Sequence, residues 1–561
     1  MQSTRQFVAI VVAWAGLSSM ASAQEESTIL RGPYLQNLQS DSVEVIWVSR
    51  GEALSGRIVA LGSDGAPHAG NENDVTTCEA LAKVEDAVCH RIVLGGLTPA
   101  QAYTYDVFEG ETNLTEGRGY AFRTPPAPGQ PGLVHFTALG DSGIGTDSQR
   151  LVARAMARLA PMGVLHTGDL DYLGDPDRSV FGIYSDAPFD AVGHKRGLNT
   201  DLFARSCFFP ARGNHDNTYP YPKYFFVPGE TDEEESTYYS FDWGRVHVIV
   251  LDTTLQFESR DGGRTPGDDM LDFLRADLER VRPSGAKGET GPKWIIATMH
   301  SPIFTVGPHV IDREMAKTRN RFTPLFDEYG VELVLMGDDH VYSRSHPLKT
   351  STTPCPELAV HPCDEDPDIP YCYSLVGEDS SPHYTSPGGT VYVVTGGGGQ
   401  RLYGELTGND CRFVDRGFLA AVNATWHTVE VRASDAMLEV SAWDMRDAGD
   451  DDPRHPERPE VENLLLDRFT ISKMRLLRGD VDFDGNVALN DAIGVLNYLF
   501  LAGNLSCPAA GEVNGSGTLD IADAVHTLGF LFLGGAPPVA PYPDCGPIPE
   551  NPGAFCGQTG C

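Results

Sequence analysis

The sequence predicts a multi-domain protein: a β-sandwich, then an α/β layered domain whose β-sheets are flanked by helices, then a small α-helical module. Three observations predict this architecture. The chain has 561 residues, which is too long for one ordinary domain. Its hydrophobic pattern changes from short alternating runs to strands that alternate with helices. Near the C-terminus, two acidic loops that contain glycine are each followed by an apolar run of helical length.

Composition and charge limit the classes of protein that fit. Hydrophobic residues make up 41% of the chain and charged residues 21%, which is typical of a globular protein. Lys and Arg number 42 and Asp and Glu number 78, so the net charge is −36. A field of this sign repels phosphate backbones, so we expect no nucleic-acid partner. A net charge of −36 suits an exported protein or one that binds cations.

Residues 1–23 predict a signal peptide. Arg5 supplies the positive start, residues 7–17 the apolar stretch, and Ala21-Ser22-Ala23 the small-residue cleavage site. The stretch is too short to span a bilayer, and no later segment reaches 18 apolar residues, so we expect no membrane span. The expected location is secreted or extracellular, with the periplasm and the cell surface as alternatives.

All eleven cysteines follow the predicted cleavage site, and an exported chain usually pairs its cysteines. Spacing favours Cys78 with Cys89. It favours two pairs within a central group and two pairs within a C-terminal group. Cys207 lies in an apolar run and is predicted to be a buried free thiol. The central group is Cys355, Cys363, Cys372 and Cys411, and the C-terminal group is Cys507, Cys545, Cys556 and Cys561.

Residues 28–124 predict the β-sandwich. Short runs of alternating polarity, such as Ser42–Trp47 and Tyr103–Phe108, are separated by turn signals. The phrase Leu97-Thr98-Pro99 before Tyr103 resembles a fibronectin type III domain. The proline-rich linker at residues 125–132 then marks a boundary.

Residues 133–472 predict the α/β layered domain, because strand, loop and helix patterns repeat there. The predicted strands are 133–139, 164–166, 294–299, 331–336 and 464–471, with a hairpin at 238–251. The predicted helices are 147–159, 270–281 and 322–329.

Five polar blocks follow apolar runs in this domain, where open α/β sheets place their sites. Glycine in four of the blocks lets the backbone turn sharply. Carboxylates, an amide, a phenol and imidazoles suit two hard or borderline cations, and Asp169 could bridge them. Two metals about 3.5–4 Å apart can generate hydroxide for an in-line displacement at phosphorus. The blocks are Gly140-Asp141, Gly168 to Tyr172, Gly213 to Asp216, His300, and Gly337 to His340.

The order of these blocks resembles the calcineurin-like metallophosphoesterases. Tyr172, the preceding fibronectin-like region and Val394 to Gly399 resemble the purple acid phosphatase branch, over residues 28–472. The resemblance implies hydrolysis of phosphate monoesters by attack of metal-bound hydroxide, with phosphodiesters as the alternative substrate. It implies iron in one position and zinc, manganese or iron in the other.

The same resemblance implies a role for each polar residue. One metal would be held by Asp141, Asp169, Tyr172 and His340, and the other by Asp169, Asn214, His300 and Asp338. His215 would contact phosphate or protonate the leaving group, and His309 would be a further phosphate-contacting imidazole.

The last block departs from the family pattern, which is Gly-His-x-His. Asp338 stands in place of the first histidine. Aspartate adds negative charge and favours harder ions such as Mn or Mg. A non-catalytic binding protein with a degenerate second metal site is therefore the competing hypothesis.

A different alternative uses Ser142. Gly140-Asp141-Ser142 also resembles the serine segment of GDSL-type esterases, with His455 as the closing histidine. That interpretation leaves Tyr172, His300 and His340 without a role.

Residues 477–536 predict the helical module. Asp480, Asp482, Asp484 and Asp491 occupy loop positions 1, 3, 5 and 12 of a calcium loop, with Gly485 at the turn. The tandem resembles a type I dockerin, which implies bound Ca²⁺ and a cohesin-like partner. A cysteine-containing tail, residues 537–561, follows. The remaining predicted calcium ligands are Asn486 in the first loop and Asn514, Ser516, Asp520 and Asp523 in a second loop that starts at Glu512.

Overall fold

The structure is a computed structural model. The predicted signal peptide, most of the predicted tail, His455 and the cysteines at 78, 355, 363, 372, 411, 556 and 561 lie outside the residues that it describes. It describes residues 29–50, 56–63, 65, 67–70, 87–185, 200–218, 224–228, 237–257, 266–283, 292–350, 373–376, 382–385, 388–403, 418–445, 464–473, 476–501, 503–505, 507–540, 542–543 and 545–546.

The N-terminal part forms two antiparallel sheets. One has the strand order β1-β2-β5, and the other has the order β4-β3-β6-β7 with β8 beside β6. Alternate residues of β6, namely Tyr103, Tyr105 and Val107, are buried, as expected of strands with one face on a core. The strands are β1 (Ile29–Gln36), β2 (Ser42–Arg50), β3 (Gly56–Gly62), β4 (Pro67–Gly70), β5 (Ala87–Gly95), β6 (Ala102–Glu109), β7 (Thr112–Asn113) and β8 (Tyr120–Arg123).

The middle part contains two seven-stranded sheets, which confirms the predicted multi-sheet α/β fold. Their strand orders are β11-β10-β9-β22-β23-β24-β19 and β12-β13-β14-β15-β20-β16-β21. The first sheet is made of β9 (Val134–Leu139), β10 (Gly163–His166), β11 (Cys207–Pro210), β19 (His383–Thr385), β22 (His427–Ala433), β23 (Met437–Asp444) and β24 (Leu465–Ser472). The second is made of β12 (Tyr239–Trp243), β13 (Val246–Val250), β14 (Trp294–Thr298), β15 (Leu333–Met336), β16 (Tyr342–Ser345), β20 (Val391–Thr395) and β21 (Leu419–Asn423), and a separate pair is β17 (Leu348–Thr350) with β18 (Tyr373–Leu375).

The two large sheets share a core. Phe136 of the first sheet stacks on Trp243 of the second, with ring centroids 4.9 Å apart. Helices cover the outer faces, so that strands such as β9 are buried along their whole length. The helices are α1 (Asp147–Leu159), α2 (Gly182–Tyr184), α3 (Pro266–Val281) and α4 (Arg313–Tyr329).

Helix α4 is longer than its sequence pattern predicts. The apolar spacing indicates a start near Phe322, but the helix begins at Arg313 and contains Pro324. Pro324 is exposed, so the backbone carbonyl that it leaves without a helical partner lies on the solvent side. Helix α4 ends at Tyr329 because Gly330 adopts a left-handed conformation, with φ 64°.

The C-terminal part has its own apolar cluster, which includes Val481, Val495 and Ala524. None of the helices among the described residues is long and apolar enough to cross a bilayer. The elements here are β25 (Leu476–Leu477), α5 (Leu489–Phe500), α6 (Pro508–Gly511), α7 (Ile521–Leu533) and β26 (Cys545–Gly546).

The state of three cysteines bears on the predicted pairing. Cys207 is buried and free, as predicted. Cys89 and Cys507 are disulfide-bonded. The pairings of the individual cysteines stay predictions.

A buried arginine joins the N-terminal sheets to the middle part. The Arg31 guanidinium donates to both carboxylate oxygens of Asp177, at 2.7 and 2.9 Å. It also lies over the rings of Phe181 and Tyr224, at 4.7 and 4.8 Å from their centroids. A bidentate, stacked guanidinium fixes the two parts in one relative orientation.

His247 on β13 predicts a pH-dependent stability. Its two ring nitrogens lie 2.8 Å from carboxylate oxygens of Asp242 and Asp277. Burial lowers the pKa of His247, but hydrogen bonds to the two carboxylates outweigh burial, so that its pKa is raised above the ordinary value. The folded state therefore binds this proton more tightly than the unfolded chain, and the interaction stabilises the fold fully below pH ~6.5.

We expect the wild type to exceed His247→Gln in unfolding free energy by about 2 kcal/mol at pH 5.5. The difference should shrink as the pH rises through the folded pKa. Denaturant unfolding at several pH values measures it, with His383→Gln, an exposed imidazole, as the control. A difference that grew with pH would contradict the expectation.

Candidate metal centre

The polar blocks converge at the carboxyl ends of two sets of parallel strands. In the first sheet, β9, β10 and β11 are parallel neighbours, and in the second sheet β14 and β15 are. Each of these five strands ends one to three residues before a polar block. The loops after them therefore meet at one edge, as expected of open α/β sheets.

Three aspartates of the centre have left-handed backbones. Asp141, Asp169 and Asp338 have φ values of 57°, 56° and 67°. This conformation is uncommon for residues other than glycine and clusters at functional sites. The glycine before Asp338 is also required, because a Cβ on Gly337 would lie 2.9 Å from Asp141 Oδ2.

The first group of side chains surrounds Asp141. Tyr172 donates its hydroxyl to Asp141 Oδ1 at 3.2 Å, and His340 Nε2 lies 3.5 Å from the same oxygen. His340 Nδ1 is bonded to the carbonyl of Arg401 at 2.6 Å, which fixes the direction of Nε2. Burial and the Asp141 carboxylate raise the pKa of Tyr172.

The second group surrounds His300. Its Nε2 lies 2.9 Å from Asn214 Oδ1, 3.4 Å from Asp169 Oδ1 and 3.5 Å from Asp338 Oδ1. Its Nδ1 is bonded to the carbonyl of Thr167 at 2.8 Å. The two groups touch, because the backbone N–H of Asp338 donates to Asp141 Oδ2 at 2.9 Å. The structure thus brings together all seven predicted metal ligands.

The electrostatics of the centre favour cations. Burial lowers the pKa of His300, but the carboxylates of Asp169 and Asp338 outweigh it and hold the pKa well above its ordinary value. Burial also lowers the pKa of His340, but its hydrogen bond to Asp141 outweighs burial, so that this pKa is raised as well. The carboxylates thus attract positive charge to this place, where one donor atom from each of Asp141, Asp169 and His300 lies within 4.8 Å of the other two. Carboxylate oxygens and imidazole nitrogens are ligands of divalent metals, so the donor set fits a metal pair.

The two predicted catalytic histidines lie at the rim. His215 is 53% exposed, and its Nε2 lies 3.9 Å from Asp169 Oδ2. Its ring is 4.4 Å from that of Tyr172, and its backbone N–H donates to Asp169 Oδ1 at 2.9 Å. His309 Nε2 lies 3.5 Å from Asp338 Oδ1, and its Nδ1 lies 2.6 Å from Asp312 Oδ2.

Sequence reasoning assigned no role to Asp216, which the structure places beneath the centre. Its buried carboxylate accepts N–H groups from Asp169, Leu170, Asp171 and Gly213, at 2.8 to 3.0 Å. It therefore ties the loop after β10 to the loop after β11. Its place in the block Gly213-Asn214-His215-Asp216 was the available signal, but three of the four hydrogen bonds join it to a segment that is distant in the sequence.

Ser142 is placed unlike a nucleophile. It is buried, and its Oγ lies 2.8 Å from His166 Nε2. His166 Nδ1 accepts the N–H of Gly168 at 3.2 Å, so the ring proton lies on Nε2 and is donated to Ser142. Burial lowers the pKa of His166 to about 3. This histidine therefore cannot take the proton of Ser142, which counts against the esterase alternative.

The predicted calcium loops share one backbone pattern. Asp491 accepts the N–H of Val481 at 2.8 Å, and Asp523 accepts that of Val513 at 2.9 Å. In the first loop, oxygens of Asp480, Asp482 and Asp491 lie within 4.8 Å of one another.

The second loop differs in its first residue. Glu512 Oε2 lies 2.6 Å from Nη1 of Arg478, and the Arg478 side chain is fully buried. Glu512 Oε1 accepts the N–H of Ser516 at 2.7 Å, and that N–H also lies 2.9 Å from Asn514 Oδ1. The Glu512 carboxylate is thus already paired with the buried guanidinium of Arg478.

Comparisons with known proteins agree with this geometry. Residues 134–342 match the family model for the calcineurin-like phosphoesterases. An uncharacterized protein of Mycobacterium tuberculosis is 28% identical over 340 residues, which cover 54% of this chain and 57% of that protein. Acid phosphatase type 7 of Homo sapiens is 26% identical over 326 residues, which cover 55% of this chain and 64% of that protein. The chain thus spans less than two thirds of the length of these relatives.

A solved structure shares the fold. The purple acid phosphatase PPD1 from yellow lupin (Lupinus luteus) seeds has a TM-score of 0.53 at 18% identity, covering 79% of this chain and 74% of that chain. The matched residues 134–342 include all seven candidate metal ligands, His215 and His309. Residues 134–342 are thus similar to the calcineurin-like phosphoesterases, and the chain shares its fold with a purple acid phosphatase.

Proposed function

We propose that the protein is an exported dimetal phosphatase that hydrolyses phosphate monoesters. One observation carries the proposal: two groups of candidate metal-ligand side chains, most of them buried, meet through the hydrogen bond from the Asp338 N–H to Asp141 Oδ2. Asp141, Asp169, Tyr172 and His340 would hold one ion, and Asp169, Asn214, His300 and Asp338 the other. Two bound ions supply Lewis acidity and an activated nucleophile for displacement at phosphorus.

The residues of the chain would place the substrate and move the proton. His215 is the exposed imidazole beside Asp169. The hydrogen bond from its backbone N–H to Asp169 Oδ1 holds the backbone of His215 next to this carboxylate. A phosphate oxygen at the mouth of the centre would lie within reach of this ring. His215 would then donate its Nε2 proton to the leaving alkoxide, as a general acid.

The buried side chains would keep the reacting phosphate out of bulk water. Asp141 and Asp169 are almost fully buried, and His300 is enclosed by the loops after β10 and β11. Charges in such surroundings interact more strongly than in water, which favours the developing charge of the transition state.

The test is hydrolysis of an aryl phosphate monoester beside its diester analogue by the purified protein, with Asp169→Asn as the control. Monoester turnover that the control lacks would support the proposal. Dominant diester turnover would move the function to phosphodiesterase. No turnover of either ester with iron, zinc or manganese would overturn the proposal and favour the non-catalytic binding protein.

We propose in addition that the first C-terminal loop binds Ca²⁺ and that the second does so weakly or not at all. The first loop carries four aspartates, Asp480, Asp482, Asp484 and Asp491, around one turn. Calcium affinity rises with the number of charged ligands. In the second loop Glu512 is neutralised by buried Arg478, and Asn514 and Ser516 bring no charge.

We expect a calcium titration of the full protein, followed by native mass spectrometry, to show one tightly bound ion. Asp480→Asn should remove it. Asp520→Asn, the same substitution at position 9 of the second loop, should leave it, because asparagine still caps α7. Two ions of equal affinity would contradict this expectation.

The dockerin resemblance adds a cohesin-like partner to the proposal. Apolar side chains on the two long helices of this region are exposed and would form the surface that such a partner covers: Ile493 on α5, and Ile521 and Val525 on α7. The exported location rests on the signal-peptide pattern of residues 1–23.

A further inference from the structure

Three histidines of the centre share one two-ended arrangement. In each, Nε2 lies 3.4 to 3.5 Å from an aspartate oxygen of the cluster: His300 with Asp169, His340 with Asp141, and His309 with Asp338. In each, Nδ1 is bonded to an acceptor on the other side. Those acceptors are the carbonyls of Thr167 and Arg401 and the carboxylate of Asp312, at 2.8, 2.6 and 2.6 Å.

This arrangement is the one that a metal-binding histidine needs. A ligating imidazole directs one nitrogen at the metal and donates the other N–H to a carboxylate or a carbonyl, which fixes both tautomer and orientation. His300 and His340 are already candidate ligands. His215 does not share the close approach, since its Nε2 lies 3.9 Å from Asp169 Oδ2 and its side chain is 53% exposed.

Asp338 explains why the second metal position has room for another imidazole. The family pattern has a histidine at this place, and the shorter aspartate leaves the position with one imidazole, that of His300. Asp338 Oδ1 lies 3.5 Å from Nε2 of both His300 and His309, so the carboxylate stands between two imidazoles that point at it. A cation bound by Asp338 would be within reach of both.

We propose that His309 is a ligand of the second metal position and supplies the imidazole that is missing at position 338. The inference rests on the dimetal centre of the proposed function. The position then has three oxygen donors, from Asp169, Asn214 and Asp338, and two nitrogen donors, from His300 and His309. Such a mixed set suits Mn, Fe or Zn, whereas oxygen donors alone would favour Mg or Ca.

Asp312 is a positioning residue in this arrangement. Its carboxylate is bonded to His309 Nδ1, and Asp312 is the residue directly before helix α4, so the imidazole is connected to a regular element. Loss of such an outer partner typically lowers metal affinity about 10- to 100-fold. Asp312→Asn should therefore weaken the second ion without removing a ligand.

The experiment measures metal content, not activity. The full protein is loaded with Mn²⁺ or Zn²⁺ and passed through a desalting column. Elemental mass spectrometry then measures the number of bound metal ions per protein molecule. We expect two ions in the wild type and about one in His309→Ala. The double variant Asp338→His/His309→Ala should regain the second ion, because it returns an imidazole to the position. His215→Ala is the matched control and should keep both ions.

The outcomes separate the two proposals. If His309→Ala keeps two ions with wild-type affinity, His309 is a phosphate contact and the ligand role is wrong. If the wild type itself binds fewer than two ions, the dimetal centre fails and the ligand role fails with it. Circular dichroism of His309→Ala shows whether it is folded, and Asp312→Asn gives a second measure of the same ion if it is not: unchanged affinity there would also contradict the role.

Discussion

Asp169→Asn is expected to lower kcat/KM for a phosphate monoester by at least about 10³-fold, or ~4 kcal/mol of transition-state stabilisation. Asp169 is the carboxylate that stands between the two groups of candidate ligands: one donor atom from each of Asp141 in the first group, Asp169 itself and His300 in the second group lies within 4.8 Å of the other two. An amide has one oxygen and no charge, so it cannot serve two cations. Steady-state kinetics together with metal content measure the effect.

The variant should remain folded. Asparagine has the shape of aspartate and tolerates the left-handed backbone of this position, with φ 56°. Its side-chain oxygen can still accept the N–H of His215. The control is Asp147→Asn, which removes the same charge from a side chain that is 90% exposed. Turnover by Asp169→Asn within tenfold of the wild type would contradict a bridging role.

Asp216→Asn is expected to destabilise the protein by about 3 kcal/mol and to lower metal content at the same time. Its carboxylate accepts four backbone N–H groups in a buried place. The amide would turn an NH₂ group towards N–H donors, which leaves buried donors without acceptors at about 1–3 kcal/mol each. These N–H groups belong to Asp169, Leu170, Asp171 and Gly213. The change would therefore also weaken the positioning of the candidate metal ligands on these two loops.

Denaturant unfolding measures the stability, and elemental analysis measures the metal. Asp201→Asn is the control, because it removes a carboxylate that pairs with Arg205 at the surface, where an ion pair contributes about 0–1 kcal/mol. Unchanged stability together with full metal content would show that the two loops hold each other without Asp216.

Local pattern was enough to predict several of the strands and the polar blocks that follow them. Apolar runs such as Val134–Leu139 and Trp294–Thr298 end in polar blocks, and buried strands need those residue types whatever the rest of the chain does. The glycines before Asp141, Asp169 and Asp338 indicated that the backbone turns sharply at these places. These features depend on a few neighbouring residues.

Features that depend on distant segments could not be predicted in this way. The strands β20, β22 and β23 gave no clear alternation because their residues are mostly buried on both faces. The four partners of Asp216 come from two separate loops. The position of His309 beside Asp338 depends on where helix α4 begins, and its apolar spacing indicated a start nine residues too late, at Phe322 instead of Arg313.

The Arg31–Asp177 contact limits how this protein can be recombined with others in evolution. A gene fusion that kept residues from 133 onward but lost β1 would leave Asp177 without its bidentate partner, and breaking a buried pair costs about 3–5 kcal/mol. That is a large share of the 5–15 kcal/mol that keeps a typical domain folded. We therefore expect the N-terminal sheets and the middle part to be retained together as one unit. The C-terminal helices have an apolar cluster of their own, so we expect them to be the part that can be exchanged between proteins.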